Sequence, residues 1–130
     1  GFDQFTFGAP FTPGNINYQS ITAYPLNANE YATTKLTFTP QTAIAAGGLI
    51  KITFPSQYKS LPSPPDCYIS GGITTFSSCI LSGSTITITT DTDYLYGGLV
   101  ITIMNVLNPD YGTTSGFDIT TSYDGVTLDV

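Results

Sequence analysis

Apolar residues recur at every second position in one short segment after another, and turn residues separate the segments. Leu36 and Phe38 stand among Lys35, Thr37 and Thr39, while Ile50, Ile52 and Phe54 flank Lys51 and Thr53. Ile86 and Ile88 alternate with Thr85, Thr87 and Thr89; Leu99, Ile101 and Ile103 share one face, and Phe117 and Ile119 another. Successive side chains of a strand point to opposite faces, so a period of two marks strands with one face buried. No window repeats apolar residues at helical spacing for long enough to make a sizeable helix. The fold class expected is all-β.

Pro40, Gly47-Gly48, Pro55, Pro62 with Pro64-Pro65, Ser82-Gly83, Gly97-Gly98, Pro109 and Asp124-Gly125 punctuate these runs. They leave strands at 16–24, 33–39, 49–55, 84–90, 98–106 and 116–123, with a short irregular one within 67–76. About seven antiparallel strands in a chain of 130 residues predict an immunoglobulin-like β-sandwich, with a barrel as the alternative. Asp124-Gly125 is a hairpin signal. It folds Val126-Thr127-Leu128-Asp129-Val130 back as one more strand, or releases it toward a neighbouring domain. The sandwich is expected over residues 15–130, as a single domain. Residues 1–14 form a Phe-rich arm or linker.

Gly-Gly-Leu followed by β-branched residues occurs twice, at Gly47-Gly48-Leu49-Ile50 and Gly97-Gly98-Leu99-Val100. Neither copy matches a phosphate-binding glycine loop, and neither leads into a helix. Each is expected to launch a core strand through a glycine turn. Fifty residues is too short a period for two sandwiches, so the echo is not read as a duplicated domain.

Charged residues make up only 9% of the chain, against about 25% in ordinary globular domains. The surface must be built from uncharged polar groups, chiefly Thr and Ser. Histidine and arginine are absent, and Lys35, Lys51 and Lys59 are the only cations. A net charge of −6 argues against nucleic acid, whose binding draws on clustered Lys and Arg. No apolar run reaches the ~20 residues of a membrane-spanning helix, so no transmembrane segment is expected. Gly1 is read as a processed start or as the edge of a longer polypeptide.

Nucleophilic catalysis needs an activated Ser or Cys beside a base, and none of the sequence offers that pairing. Asp91 and Asp93 are the closest carboxylates in the chain, yet Asp-Thr-Asp before Tyr94 is more simply a solvated turn. Asp91, Asp93, Asp110 and Asp124 all fall in predicted connections, where calcium would be the candidate metal. They show no calcium-loop spacing and are read as solvated charges, so no metal, cofactor or enzymatic activity is expected. Cys67 and Cys79 suit a local disulfide closing a loop of roughly 13 residues, worth about 3 kcal/mol by chain entropy. Two separately buried thiols are the alternative. Paired cysteines with few charges and much Thr and Ser favour an extracellular or cell-surface location. The Leu61-Pro62-Ser63-Pro64-Pro65 loop suits O-linked glycans, and no N-glycosylation sequon is present.

Taken in order, several segments resemble a family. They are Leu36-Thr37-Phe38-Thr39-Pro40, the first Gly-Gly-Leu strand through Ser56, Cys67 and Cys79, Ile86-Thr87-Ile88 and Gly97-Gly98. Ile103-Met104-Asn105-Val106-Leu107-Asn108-Pro109, Thr114-Ser115-Gly116-Phe117 and Ser122-Tyr123-Asp124-Gly125 complete the set. Residues 33–130 are similar to the tandem immunoglobulin-like β-sandwich modules of large extracellular and surface proteins of ciliates and related protists. The resemblance implies a spacer or adhesive role, a Cys67–Cys79 disulfide and no active site.

Two functions are carried forward. The first is a structural module of an extracellular filament, coat or appendage, joined head-to-tail to copies of itself or to neighbouring repeats. Phe2, Phe5 and Phe7 of the arm and Val126, Leu128 and Val130 of the last segment are its candidate assembly residues. The second is a carbohydrate- or cell-surface-binding adhesion module using Tyr58, Tyr94, Tyr96 and Tyr111 as stacking platforms.

Overall fold

The computed structural model describes residues 5–6, 16–110 and 112–130. Eleven strands follow in chain order: β1 Phe5–Thr6, β2 Ile16–Tyr24, β3 Tyr31–Pro40, β4 Leu49–Thr53, β5 Asp66–Gly71, β6 Phe76–Ser82, β7 Thr85–Thr90, β8 Leu99–Leu107, β9 Gly112–Thr113, β10 Asp118–Tyr123 and β11 Val126–Asp129. Nine of them build two antiparallel sheets, ordered β2-β3-β8-β5 and β11-β10-β4-β7-β6. The short β1 and β9 pair with each other in parallel.

The alternation read from the sequence is the burial pattern of the strands. Leu36, Phe38, Ile50, Ile52, Ile86, Ile88, Leu99, Ile101 and Ile103 are all fully buried between the sheets. Their neighbours Thr37, Thr53, Thr87 and Thr102 stand on the outer faces, half-buried. In β8 the phase breaks. Ala32 pairs with Val106 and Thr34 with Ile103, so β8 carries one extra residue there. Asn105 absorbs it with a φ of 58°, a conformation that asparagine tolerates better than most residues. Val106 thereby returns to the core side.

Without β6 and β7, the sheets read β2-β3-β8-β5 and β11-β10-β4. That is the A-B-E-D and G-F-C order of a seven-stranded immunoglobulin sandwich. The β6–β7 hairpin is an insertion between the D and E positions, and it lengthens the second sheet beyond the strand at the C position. Seven strands were expected, and the count falls short for two reasons. The last segment does fold back, as β11, through the Asp124-Gly125 turn with both residues at positive φ, 50° and 78°. The other strand, β6, has no clean alternation. Cys79 and Leu81 pair with the core residues Ile88 and Ile86, while Ile80 between them is exposed.

Both ends of the sandwich are closed by loops. At the end where β4 gives way to β5, the rings of Phe54, Tyr58 and Phe117 pack edge-on or tilted, with centroids 4.9 to 5.5 Å apart. Burial pushes the Tyr58 hydroxyl well above the ordinary tyrosine pKa. The unfolded chain loses this proton near pH 10 and the folded chain holds it, so the stability from keeping Tyr58 neutral is complete below pH 10. It is then lost as pH climbs toward the raised pKa. Denaturant titrations between pH 9 and 12 should show falling stability, with a gentler fall in Tyr58→Phe; identical slopes for the two proteins would contradict this.

Candidate functional site

The end opposite the aromatic cluster gathers the loops 41–48, 72–75 and 91–98 with the β10–β11 turn. Three crossings between sheets lie here, β3 to β4, β5 to β6 and β7 back to β8, and the first and last are the two that carry the glycine pairs. The β3–β4 and β7–β8 crossings meet in a reciprocal bridge, Ile44 N–H to Tyr94 O and Tyr94 N–H to Ile44 O, both 2.8 Å. Ile44 and Tyr94 stand at equivalent distances before the two Gly-Gly-Leu copies. The echo therefore marks two matching sheet-to-sheet crossings. Gly47 and Gly97 take φ of 91° and 103°, values open to glycine and strained for other residues. Each turn then delivers its leucine to a strand, β4 in one sheet and β8 in the other.

Tyr94 is fully buried beneath this junction. Its hydroxyl donates to Gly97 O at 2.7 Å, with Pro40 O at 3.2 Å. Burial, and secondarily the charge of Asp129, raises its pKa. Tyr58 is buried too, so neither ring is available as a stacking platform. Tyr96 is 82% exposed at the loop tip, and Tyr111 lies outside the described residues.

The loop acids tie one loop to another. Asp91 accepts from the Thr75 hydroxyl at 2.7 Å, and Asp93 from the Ala46 N–H at 2.9 Å. Asp129, buried, accepts from both the N–H and the hydroxyl of Thr42. At the far end Asp110 accepts from Asn29 at 2.7 Å and pairs with Lys59 at 2.6 Å. The hydrogen bonds from Lys59 and Asn29 and the lysine charge lower its pKa. Beside it, buried Asn108 donates to Pro25 O and Asn27 O, holding the β2–β3 loop. Among the described residues no three His, Cys, Asp or Glu side chains gather as metal ligands would.

Cys67 and Cys79 are bonded. The bond does more than staple a local excursion, because β5 is an outer strand of one sheet and β6 an outer strand of the other. It closes one side of the sandwich. Among the described residues the other side, between β2 and β11, is open.

On that open side Val126 and Val130 are exposed, at 62% and 48%, while Leu128 packs partly against the core. Of the arm residues, Phe5 belongs to β1, whose backbone runs beside Gly112–Thr113. Phe2 and Phe7 lie outside the described residues. Sequence reasoning passed over Tyr24, Tyr31 and Tyr68, all exposed on the outer face of the four-stranded sheet. For Tyr31 and Tyr68 the signal was the alternation itself, since they sit out of phase with the buried neighbours Ala32, Cys67 and Ile69. No family model, curated protein or solved structure matches the chain.

Proposed function

We propose that this chain is a non-catalytic structural module of an extracellular filament, coat or surface appendage, joined to its own copies or to neighbouring repeats through its terminal segments. The observation that carries this reading is the apolar edge formed by β11, unpaired on its outer side among the described residues. Edge strands of monomeric sheets are usually blunted by outward Lys, proline, bulges or short length; β11 is four residues long with a bulge against β10, yet carries no Lys or proline. This one presents Val126 and Val130 outward, and its single charge, Asp129, is turned in and held by Thr42. A partner strand, such as the arm at residues 1–14 of another copy, would add to it by main-chain hydrogen bonds.

Charge favours contact along this edge over bare end-on stacking. Asp91, Asp93 and Asp124 lie at one end of the sandwich, and Glu30, Asp66, Asp110 and Asp118 at the other, where Lys59 offsets one of them. End-on stacking would press these like charges together.

The disulfide supports an oxidising compartment. No helix of the described residues is long and apolar enough to cross a membrane. Ser63 is exposed in its proline loop, which supports O-linked sugars there. The non-catalytic reading is supported by the loop carboxylates, since Asp91, Asp93, Asp110 and Asp129 each hold a neighbouring loop.

The double variant Val126→Lys, Val130→Lys places two charges on the β11 edge without touching the core. It should abolish sedimenting assemblies while the melting temperature stays within about 2 °C of the parent, because surface changes are usually worth less than ~0.5 kcal/mol. Polymers of unchanged length would sink this reading.

A further inference from the structure

Three of the five exposed tyrosines among the described residues share one surface, the outer face of the four-stranded sheet. Strand register sets their layout. Tyr68 lies beside Thr102, Thr102 beside Lys35, and Lys35 beside Thr22. In the next row Tyr24 pairs with Thr33, and one row further Tyr31 pairs with Leu107. With strands ~4.8 Å apart and ~3.4 Å of rise per residue, Tyr24 and Tyr31 stand ~8 Å apart and Tyr68 ~16 Å from both. Thr33, Lys35 and Thr102 lie between them, with Met104 beside Thr33, whose hydroxyl donates to the methionine sulfur at 3.4 Å.

We infer that this face binds an uncharged polysaccharide, with Tyr24, Tyr31 and Tyr68 stacked on sugar rings and Thr22, Thr102 and Lys35 bonding to sugar hydroxyls. A tyrosine ring offers an apolar face to the C–H groups of a pyranose and a hydroxyl to its edge. Spaced rings with donors and acceptors between them match a chain of repeating apolar faces and hydroxyl rims. A protein partner would instead call for a contiguous apolar centre with a polar rim, and here Tyr68 stands ~16 Å from the other two rings across Thr33, Lys35 and Thr102, with Met104 among them.

Charge selects among glycans. Among the described residues the face carries Lys35 and, at its border, Asp66 and Glu30, while Asp91, Asp93 and Asp124 lie at the opposite end of the sandwich from Tyr24 and Tyr31. A polyanion would be repelled by the net charge of −6, and a polycation would be drawn to the end loops. A neutral polymer meets neither obstacle. This inference goes beyond the assembly reading and uses a different surface.

Native gel electrophoresis through dissolved polysaccharide tests it, with separate gels containing a β-glucan, a mannan, a galactan and alginate. At least one neutral polymer should retard the protein and alginate should not. Tyr31→Ala and Tyr68→Ala should each weaken that retardation about tenfold, a loss of ~1.4 kcal/mol apiece, while Tyr96→Ala at the distant loop tip should leave it unchanged. Absence of retardation in all three neutral gels overturns the inference, as does retardation by alginate alone or an equal loss in Tyr96→Ala. If Tyr68→Ala instead alters sedimentation and leaves retardation alone, the face belongs to another copy of the chain and the inference falls. The Val126→Lys, Val130→Lys variant should still be retarded, so failure here is distinguishable from failure of the assembly reading.

Discussion

Replacing Tyr94 with alanine should destabilise the sandwich by about 4 kcal/mol, the cost of emptying a large, fully buried aromatic site. The ring lies under the point where the β3–β4 and β7–β8 crossings meet, and its hydroxyl satisfies Gly97 O. Removing it leaves a cavity, and it leaves that carbonyl without its donor at the turn that starts β8. Tyr94→Phe isolates the second effect and should cost about 1–2 kcal/mol. Equilibrium unfolding in denaturant separates the two variants. A loss below ~1 kcal/mol for the alanine variant would mean that the crossings hold without the ring.

Cys67→Ser with Cys79→Ser should cost about 3 kcal/mol on chain-entropy grounds, lowering the melting temperature of a domain this size by roughly 10–15 °C. Position makes the bond matter more than its sequence separation of 12 suggests. It is the covalent link between outer strands that each have only one neighbour, β8 for β5 and β7 for β6. Reduction should therefore release the β5–β6 side first, seen as faster amide exchange in Asp66–Gly71 and Phe76–Ser82 than in β3 or β4. A melting temperature within ~3 °C of the oxidised protein would contradict this placement.

Strand positions were legible wherever one face is buried and the other wet, because burial then imprints a period of two. β3, β4, β7 and β8 all carry that imprint, and the structure places each within two residues of the segment read from the sequence. β6 was missed because it is an outer strand whose Ile80 faces solvent beside inward Cys79 and Leu81. Its apolar run is continuous, and period alone gives such a run no strand signature. The two tyrosines misread as platforms, Tyr58 and Tyr94, lie in connections, and connections usually cover the surface. In a sandwich the open ends of the core must also be closed, and these connections fold over them.

Other features depend on contacts that no local pattern announces. Asp129 reaches Thr42 across 87 positions, and a carboxylate at the next-to-last position of the sequence carries no mark of burial. The inter-sheet reach of the disulfide is similar. The spacing of Cys67 and Cys79 suggested a bond, while its role follows from β5 and β6 belonging to different sheets. The doubled Gly-Gly-Leu was visible at once, yet its meaning rests on the reciprocal bridge between Ile44 and Tyr94. Only the paired crossings explain why both copies occur at the same distance after those residues.

The central claim is that β11 is an edge completed by another copy or repeat. Amide hydrogen exchange on assembled and dispersed protein tests it most directly, with negative-stain microscopy confirming the assembled state. Assembly should slow exchange in Val126–Asp129 at least tenfold while leaving β4 and β7, already paired on both sides, unchanged. Equal exchange in β11 before and after assembly, or protein that stays dispersed at every concentration tried, would contradict the claim.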